Sequence, residues 1–169
     1  DLPYRLAEDG WMKAGNLPDL SNHTHGNFDY AKAKEGGLDA PFMSIFIPAA
    51  LQQYPGASKN LADSLINMVE NIVNTYPQQF AHAGSPADVQ NNFEKGLISL
   101  PMGMENGSAI EDQIENVKYF FDRGIRYVTL THGKDNLICD SSYDTTRTWN
   151  GLSPFGREVV KEMNAQGIM

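Results

Sequence analysis

The sequence contains almost no cysteine and no long hydrophobic run. Cys139 is its only cysteine, so an internal disulfide is excluded and the redox compartment stays open. No stretch approaches the roughly 18 apolar residues that a transmembrane helix needs. The opening residues DLPYRLAEDG have neither the cationic start nor the apolar segment of a secretory signal peptide. The localisation therefore stays unassigned, and exported, periplasmic and cytoplasmic locations all remain open.

Basic residues are also scarce. The 169 residues include 13 Lys and Arg against 21 Asp and Glu, which gives a net charge of −8. Nucleic-acid binding needs a basic surface that neutralises phosphates, so we expect no nucleic-acid partner. With 41% hydrophobic and 20% charged residues, the composition is that of an ordinary globular protein. Its length suits a single domain over residues 1–169, without an internal boundary.

Apolar runs alternate with amphipathic segments after residue 40, a pattern that predicts an α/β fold with a parallel sheet covered by helices. The residues before that point are rich in Gly, Pro, Asn and Ser, so we expect them to be irregular apart from a short helix in FDYAKAKEGG. The predicted strands are residues 42–47, FAHA, LISLPMGME and IRYVTLTH. The predicted helices are the segment capped by Ser58 and stopped by Pro77, SPADVQNNFEKG, AIEDQIENVKYFFDRG and LSPFGREVVKEMNAQG.

Two of the predicted strands end in reactive side chains, Glu105 and His132. Ligands of parallel α/β proteins gather at the carboxyl ends of the strands, so these two residues are the candidate site. A buried carboxylate without a partner is costly, which means that Glu105 either reaches solvent or meets a positive group. The structural alternative is that Glu105 begins a helix cap and His132 makes a loop hydrogen bond.

Other chemically reactive residues are expected to be structural. His23 and His25 have the His-x-His spacing of some metal-dependent hydrolases, but no strand precedes them, so a polar loop is the better interpretation. NHT and NGS are formal glycosylation sequons, and a sugar on Asn106 in the second would block a site at Glu105. Packing or loop-ordering roles are expected for the remaining candidates: His82, Cys139, Asp140, Asp144 and Arg147.

Several segments resemble the membrane (renal) dipeptidase family of zinc peptidases. The resemblance is carried by GLDAPFMSIFIP, PMGMENGSAI, GIRYVTLTHGKDN and GLSPFGREVVKEMNAQGIM. These segments occur in order along essentially the whole chain, and LTH followed by GLSPFG is specific to the family. The opening DLPYRL resembles the residues that follow the family's first metal motif, His-x-Asp.

The resemblance implies a (β/α)8 TIM-type barrel, of which residues 1–169 would form roughly the first half as a single partial domain. It also implies two Zn²⁺ ions and hydrolysis of a dipeptide substrate by a metal-bridging hydroxide. By position, Asp1 and Glu105 match metal ligands, Glu105 being the bridging one. Glu105 and His132 match catalytic residues, and His132 also contacts substrate. The remaining ligands of the family have no counterpart here, so we expect this chain to be inactive alone and prone to form homo-oligomers through open strand edges.

Two alternatives stay open at this point. The chain could be a non-catalytic half-barrel used for binding or assembly, which would tolerate the loss of Glu105 and His132. It could also belong to an aminoacylase-type amidohydrolase on the same scaffold, because a fold does not fix its substrate. We expect the long polar segment at residues 133–151 to line the pocket in either enzyme.

Overall fold

The computed structural model describes residues 2–10, 18–22 and 26–169, and within them the protein is a mixed α/β chain. Its α-helices are Leu2–Glu8, Tyr30–Glu35, Ala57–Thr75, Pro86–Glu94, Glu115–Asp122 and Pro154–Gln166, with 3₁₀ helices at Ala49–Gln53 and Gly107–Ile110. Its strands are β1 (Met43–Phe46), β2 (Phe80–Ala81), β3 (Ile98–Ser99), β4 (Met102–Glu105) and β5 (Ile125–Thr129). None of the helices described has the length and apolar composition needed to cross a bilayer.

The strands form one sheet of order β1-β4-β5 and a second, two-stranded parallel sheet of β2 and β3. The amide of Met43 donates to Pro101 O, and the amide of Ile47 donates to Glu105 O. Pairing therefore advances in the same direction along β1 and β4, which makes them parallel. The predicted α/β fold with a parallel sheet is confirmed.

The outer edge of β5 has a further backbone neighbour. The amide of Val128 donates to Met169 O at 2.9 Å, and the amide of Met169 donates to Arg126 O at 3.0 Å. These two hydrogen bonds occupy backbone groups of β5 that would otherwise lie on a sheet edge. Met169 therefore pairs with β5 through its backbone.

Pro101 divides the predicted strand LISLPMGME in two. Proline has no N–H to donate to a sheet, so a strand that contains it is interrupted or lies at an edge. The residues before it form β3, which pairs with β2, and the residues after it form β4 between β1 and β5. The amide of Leu100 still donates to Ala81 O, so the break falls between Leu100 and Met102.

Two predicted helix starts are confirmed by their caps. The Ser85 hydroxyl accepts from the amide of Asp88, and the Ser153 hydroxyl accepts from the amide of Gly156. Each cap is followed by a proline at the start of the helix, where a missing N–H has no cost. The second helix ends at Gly167, which has the left-handed φ of +79° that favours glycine there.

Three details of the predicted helices are wrong. Ser58 does not cap its helix, which begins at Ala57, and the Ser58 hydroxyl instead accepts from the Ser108 hydroxyl at 3.3 Å. Residues 2–8 are helical, although the predicted irregular region included them. The helix expected from residue 109 begins at Glu115, because Glu111 has a φ of +55° that interrupts helical backbone.

The chain divides into two compact units. The first contains Asp1–Ser44 and Ser64–Met102, and among its described residues the buried Phe80 ring contacts the rings of Tyr30 and Tyr76. The second contains Ile45–Asp63 and Gly103–Met169. Buried apolar side chains of the second unit are Met104, Ile110, Phe120, Ile125, Ile138 and Val159. A single partial domain over residues 1–169 stays a prediction.

Gly156 lies where the helix Pro154–Gln166 passes very close to the backbone of Ile138. A Cβ at this position would lie 2.0 Å from Ile138 O, which also accepts a hydrogen bond from the amide of Ser153. We expect Gly156→Ala to lower the free energy of unfolding by about 1–3 kcal/mol, measured by urea denaturation. Gly133→Ala is the control, because a Cβ there meets nothing within 4 Å. Equal stability of the Gly156→Ala variant and the wild type would contradict this packing.

Candidate active site

Glu105 is the last residue of β4, and its surroundings explain how an apolar strand can end in a carboxylate. The preceding strand residues are buried, whereas the Glu105 side chain keeps 29% of its surface exposed. Its Oε1 lies 3.2 Å from Nδ1 of His132. The carboxylate therefore reaches solvent, which is the first of the two expected solutions, and it also lies beside an imidazole nitrogen.

His132 follows β5 by three residues and is held from two directions. Its ring packs on that of Phe46 at the end of β1, with the ring centroids 5.1 Å apart and the ring planes at 73°. Its backbone carbonyl accepts from the Ser141 hydroxyl at 2.7 Å. The imidazole itself is 50% exposed, so a ligand can reach it. The ends of parallel strands thus bring Glu105 and His132 together, as the sequence predicts, while their catalytic roles stay predictions.

Tyr127 belongs to the surroundings of Glu105, and the sequence reasoning missed it. A Cβ at Gly103 would lie 1.9 Å from the Tyr127 ring, so the glycine makes room for the aromatic side chain. Burial raises the pKa of Tyr127, and the negative charge of Glu105 raises it further. The phenol therefore stays protonated next to the carboxylate. Strand alternation could have indicated this neighbourhood in the sequence, because Gly103 and Glu105 are two residues apart in β4 and therefore lie on the same face.

Asn106, the first residue of the sequon NGS, is fully buried, with no exposed surface. Its side-chain amide donates to Ile47 O at 2.9 Å and to Gln52 Oε1 at 3.0 Å. An amide nitrogen engaged in this way in the interior is not an acceptor for a sugar. The folded structure therefore excludes the glycan that would have blocked Glu105.

Carboxylates order the segment at residues 133–151. Asp144 accepts from the amide of Asp135 and from the ammonium group of Lys134, and these contacts hold the pKa of Asp144 well below its usual range. Asp135 in turn accepts from the amide of Ser141, which lowers the pKa of Asp135. The predicted ordering role of Asp144 is confirmed, with Lys134 as its cation where the sequence pointed to Arg147.

Asp140 has the same ordering role through backbone groups. Its two carboxylate oxygens accept from the amides of Trp149 and Gly151. The Trp149 indole donates to Asn136 O at 2.8 Å, which closes the segment on itself. Part of the segment lines a cleft of about 500 Å³ in the second unit, together with Gln52 and Tyr54. Glu105 and His132 are not among the lining residues of this cleft.

The other sequence candidates have structural surroundings or fall outside the description. Burial lowers the pKa of His82, whose carbonyl accepts from Asn92, and burial raises the pKa of the Cys139 thiol. A partly buried, protonated thiol matches the packing role expected for Cys139, and the exposed side chain of His82 belongs to the first unit, whereas the candidate site belongs to the second. The candidate ligand Asp1 and the His-x-His pair at residues 23–25 lie outside the described residues.

The donor types at the site suit a metal, although the set is small. Carboxylate oxygen and imidazole nitrogen are both zinc ligands in proteins, and Glu105 and His132 supply one of each within 3.2 Å. Among residues 2–10, 18–22 and 26–169 no group of three or more His, Cys, Asp or Glu is arranged to hold a metal. The described part of the chain therefore offers a portion of a metal site, to which further ligands would have to be added.

A parallel α/β sheet with a carboxylate and an imidazole meeting at two strand ends defines a class of proteins with a polar site at the carboxyl edge of the sheet. The sequence profile of the family described as Membrane dipeptidase (Peptidase family M19) matches residues 1–169, and the chain belongs to this family. It is 29% identical to an uncharacterized dipeptidase of Schizosaccharomyces pombe, over 100% of this chain and 43% of that protein. It is 30% identical to the dipeptidase aclJ of Aspergillus oryzae, over 86% of this chain and 36% of that protein.

Solved structures agree with this fold. A metallo peptidase from Rhodobacter sphaeroides, liganded with a phosphinate mimic of L-Ala-D-Ala, matches with a TM-score of 0.81 and 21% identity, over 100% of this chain and 55% of that one. An amidohydrolase from Pseudomonas aeruginosa matches with a TM-score of 0.72 and 28% identity, over 83% of this chain and 40% of that one. The chain thus spans about half or less of the length of the proteins it matches.

The lowered pKa values of Asp135 and Asp144 make the fold of the 133–151 segment sensitive to acid. Their stabilisation is complete above the ordinary carboxyl pKa of about 3.9 and is lost as the pH falls through the lower folded-state values. We expect Trp149 fluorescence, isolated in a Trp11→Phe background, to stay constant above about pH 5 and to change below about pH 4.

Asp144→Asn should shift this fluorescence transition or remove it, whereas Asp112→Asn, an exposed carboxylate outside the segment, should leave it unchanged. If the pH dependence of Trp149 fluorescence is the same in Asp144→Asn as in the wild type, the ordering role of Asp144 is contradicted.

Proposed function

We propose that this chain forms the first half of a (β/α)8 TIM-type barrel in an enzyme that hydrolyses dipeptides with the help of two zinc ions. The observation that carries the proposal is the 3.2 Å contact of Glu105 with His132 at the ends of two strands of one sheet. Membership of the membrane dipeptidase family supports the reaction class. The backbone pairing of Met169 with β5 supports a sheet that extends past the five strands described.

Glu105 is the residue that would hold metal, joined by Asp1, which matches the Asp of the family's His-x-Asp motif. A carboxylate has two oxygens and can serve two cations at once, and its negative charge offsets the repulsion between them. When bound, the zinc ions would acidify a water molecule and polarise the carbonyl of the scissile peptide bond. Glu105 needs no other positive partner in that state, since the cations compensate its charge.

His132 would act on the substrate. Its Nδ1 faces Glu105, and half of the side-chain surface is exposed, so Nε2 is the ring nitrogen that would meet a substrate. As water adds to the carbonyl carbon, negative charge develops on the carbonyl oxygen, and a hydrogen bond or positive charge from the imidazole stabilises it. The packing of the ring on Phe46 restricts its orientation before the substrate arrives, so little reorganisation is needed.

The activity is proposed for the full-length protein, with this chain alone being inactive. The chain spans 43% of the S. pombe relative, and its described residues supply only part of a metal site. A half-barrel also leaves sheet edges open, and such edges favour pairing with another copy, so an isolated chain should form homo-oligomers. Compact monomers with full activity from this chain alone would contradict the proposal.

A second candidate is an aminoacylase-type amidohydrolase, which the similarity to a protein named an amidohydrolase favours. The two reactions break the same kind of bond and differ in the free amino group of the substrate. Comparison of dipeptides with N-acyl amino acids of equal size separates them. A non-catalytic half-barrel is the third candidate, and it would hydrolyse neither substrate and bind no zinc.

Glu105→Gln tests the proposed metal-binding role. The amide keeps the size of the side chain but loses the charge, so we expect weaker zinc binding and a fall in kcat/KM of roughly a hundredfold or more for dipeptide hydrolysis by the full-length protein. A chelator should abolish wild-type activity, and added zinc should restore it. Glu115→Gln, at an exposed glutamate that begins the helix Glu115–Asp122, is the control and should behave as wild type. Unchanged turnover in Glu105→Gln rejects the proposal.

His132→Gln tests the transition-state role. Loss of the imidazole should lower kcat by about 10²–10³-fold while the zinc content stays that of the wild type. Metal analysis and steady-state kinetics on the same preparation provide both numbers. His82→Gln, at an exposed histidine of the first unit, should leave kcat unchanged. Loss of zinc in proportion to activity would instead place His132 among the metal ligands.

A further inference from the structure

The residue that follows the candidate metal ligand uses every hydrogen-bonding position of its side chain. Nδ2 of Asn106 donates to Ile47 O at 2.9 Å and to Gln52 Oε1 at 3.0 Å. Oδ1 of Asn106 accepts from the amide of Ser108 at 3.2 Å and from Nδ2 of Asn136 at 3.1 Å. An amide side chain has two donor hydrogens and two acceptor lone pairs, so this one is fully satisfied although it is completely buried. Such a saturated network is rigid.

The peptide bond between Glu105 and Asn106 is anchored on both sides. The carbonyl of Glu105 accepts from the amide of Ile47 at 3.0 Å, next to the end of β1. The amide of Asn106 donates to Oγ1 of Thr129 at 2.9 Å, at the end of β5. Ile47 therefore contacts Glu105 with its amide and the Asn106 side chain with its carbonyl. Together these contacts fix the backbone from which the Glu105 side chain projects.

The backbone at Asn106 has a conformation that side chains rarely adopt. Its φ is +78°, a value that glycine adopts without steric cost and that strains residues with a side chain. Gly107 follows, and a Cβ there would lie 2.8 Å from the Ile138 side chain, so the turn has no space to relax. Asparagine at the strained position indicates that its amide contributes something that glycine could not.

We propose that Asn106 is a positioning residue that orients the carboxylate of Glu105 towards the metal ions. This inference rests on the proposed metal-binding role of Glu105. The amide joins three segments near the strand ends, at Ile47, Gln52 and Asn136, to the residue directly after the ligand. Without the amide, the residue after Glu105 would lose its links to these segments, and the direction of the Glu105 carboxylate would no longer be fixed.

Asn106→Gly in the full-length protein tests the proposal, because glycine suits the positive φ and removes the side chain that carries the amide. We expect zinc affinity, measured by competition with a chelator, to fall about tenfold or more. The visible absorption spectrum of the Co²⁺-loaded protein should change, since it reports ligand geometry and not stability. Asn150→Gly is the matched control, an exposed asparagine with a φ of +55°, and should keep wild-type affinity and spectrum.

The outcomes separate this inference from the proposed function. If Glu105→Gln weakens zinc binding while Asn106→Gly keeps wild-type affinity and the wild-type Co²⁺ spectrum, the positioning role is overturned and the proposed function stands. If Glu105→Gln binds zinc as the wild type does, the metal-binding role of Glu105 is rejected, and the proposed function is rejected with it.

If Asn106→Gly does not fold, Gln52→Leu is the variant that tests the positioning role, because it removes one acceptor of the Asn106 amide without changing residue 106. Weakened zinc binding in that variant supports the positioning role, and wild-type binding overturns it.

Discussion

A carboxylate at the end of a buried strand has to be balanced by charge or water, and the second unit of this chain is arranged around that requirement. Glu105 emerges where β4 ends, and parallel pairing brings the residues after β5 to the same edge. His132 stands 3.2 Å away and packs on Phe46. Because each of these groups belongs to a different strand or the loop after it, the site exists only when the sheet has formed.

The polar network behind the strand ends gives this site its rigidity. Asn106 joins the turn after Glu105 to residues more than 20 positions away in the sequence, and the carboxylates of Asp135, Asp140 and Asp144 fix the long segment that follows His132. Those carboxylates accept mainly from backbone amides, so the segment is ordered without a hydrophobic core of its own. This scaffold leaves the imidazole of His132 exposed and the carboxylate of Glu105 partly exposed, so a ligand can reach both.

Periodicity, capping residues and strand ends were sufficient to predict the parallel α/β fold, both serine-capped helices and the meeting of Glu105 with His132. The dipeptidase family followed from the resemblance of four segments and is confirmed. The hydrogen bonds of Asn106 were not predictable, since its amide partners Ile47 and Gln52 lie 59 and 54 residues away and only the fold brings them near. The left-handed Glu111 that delays a helix likewise depends on tertiary packing and has no local signature.

The most direct measurement is anomalous X-ray diffraction from crystals of the full-length protein loaded with zinc. The account predicts two zinc peaks about 3.5–4 Å apart, each within about 2.2 Å of a different carboxylate oxygen of Glu105. Fully occupied zinc peaks with neither of them in bonding distance of that carboxylate would contradict it.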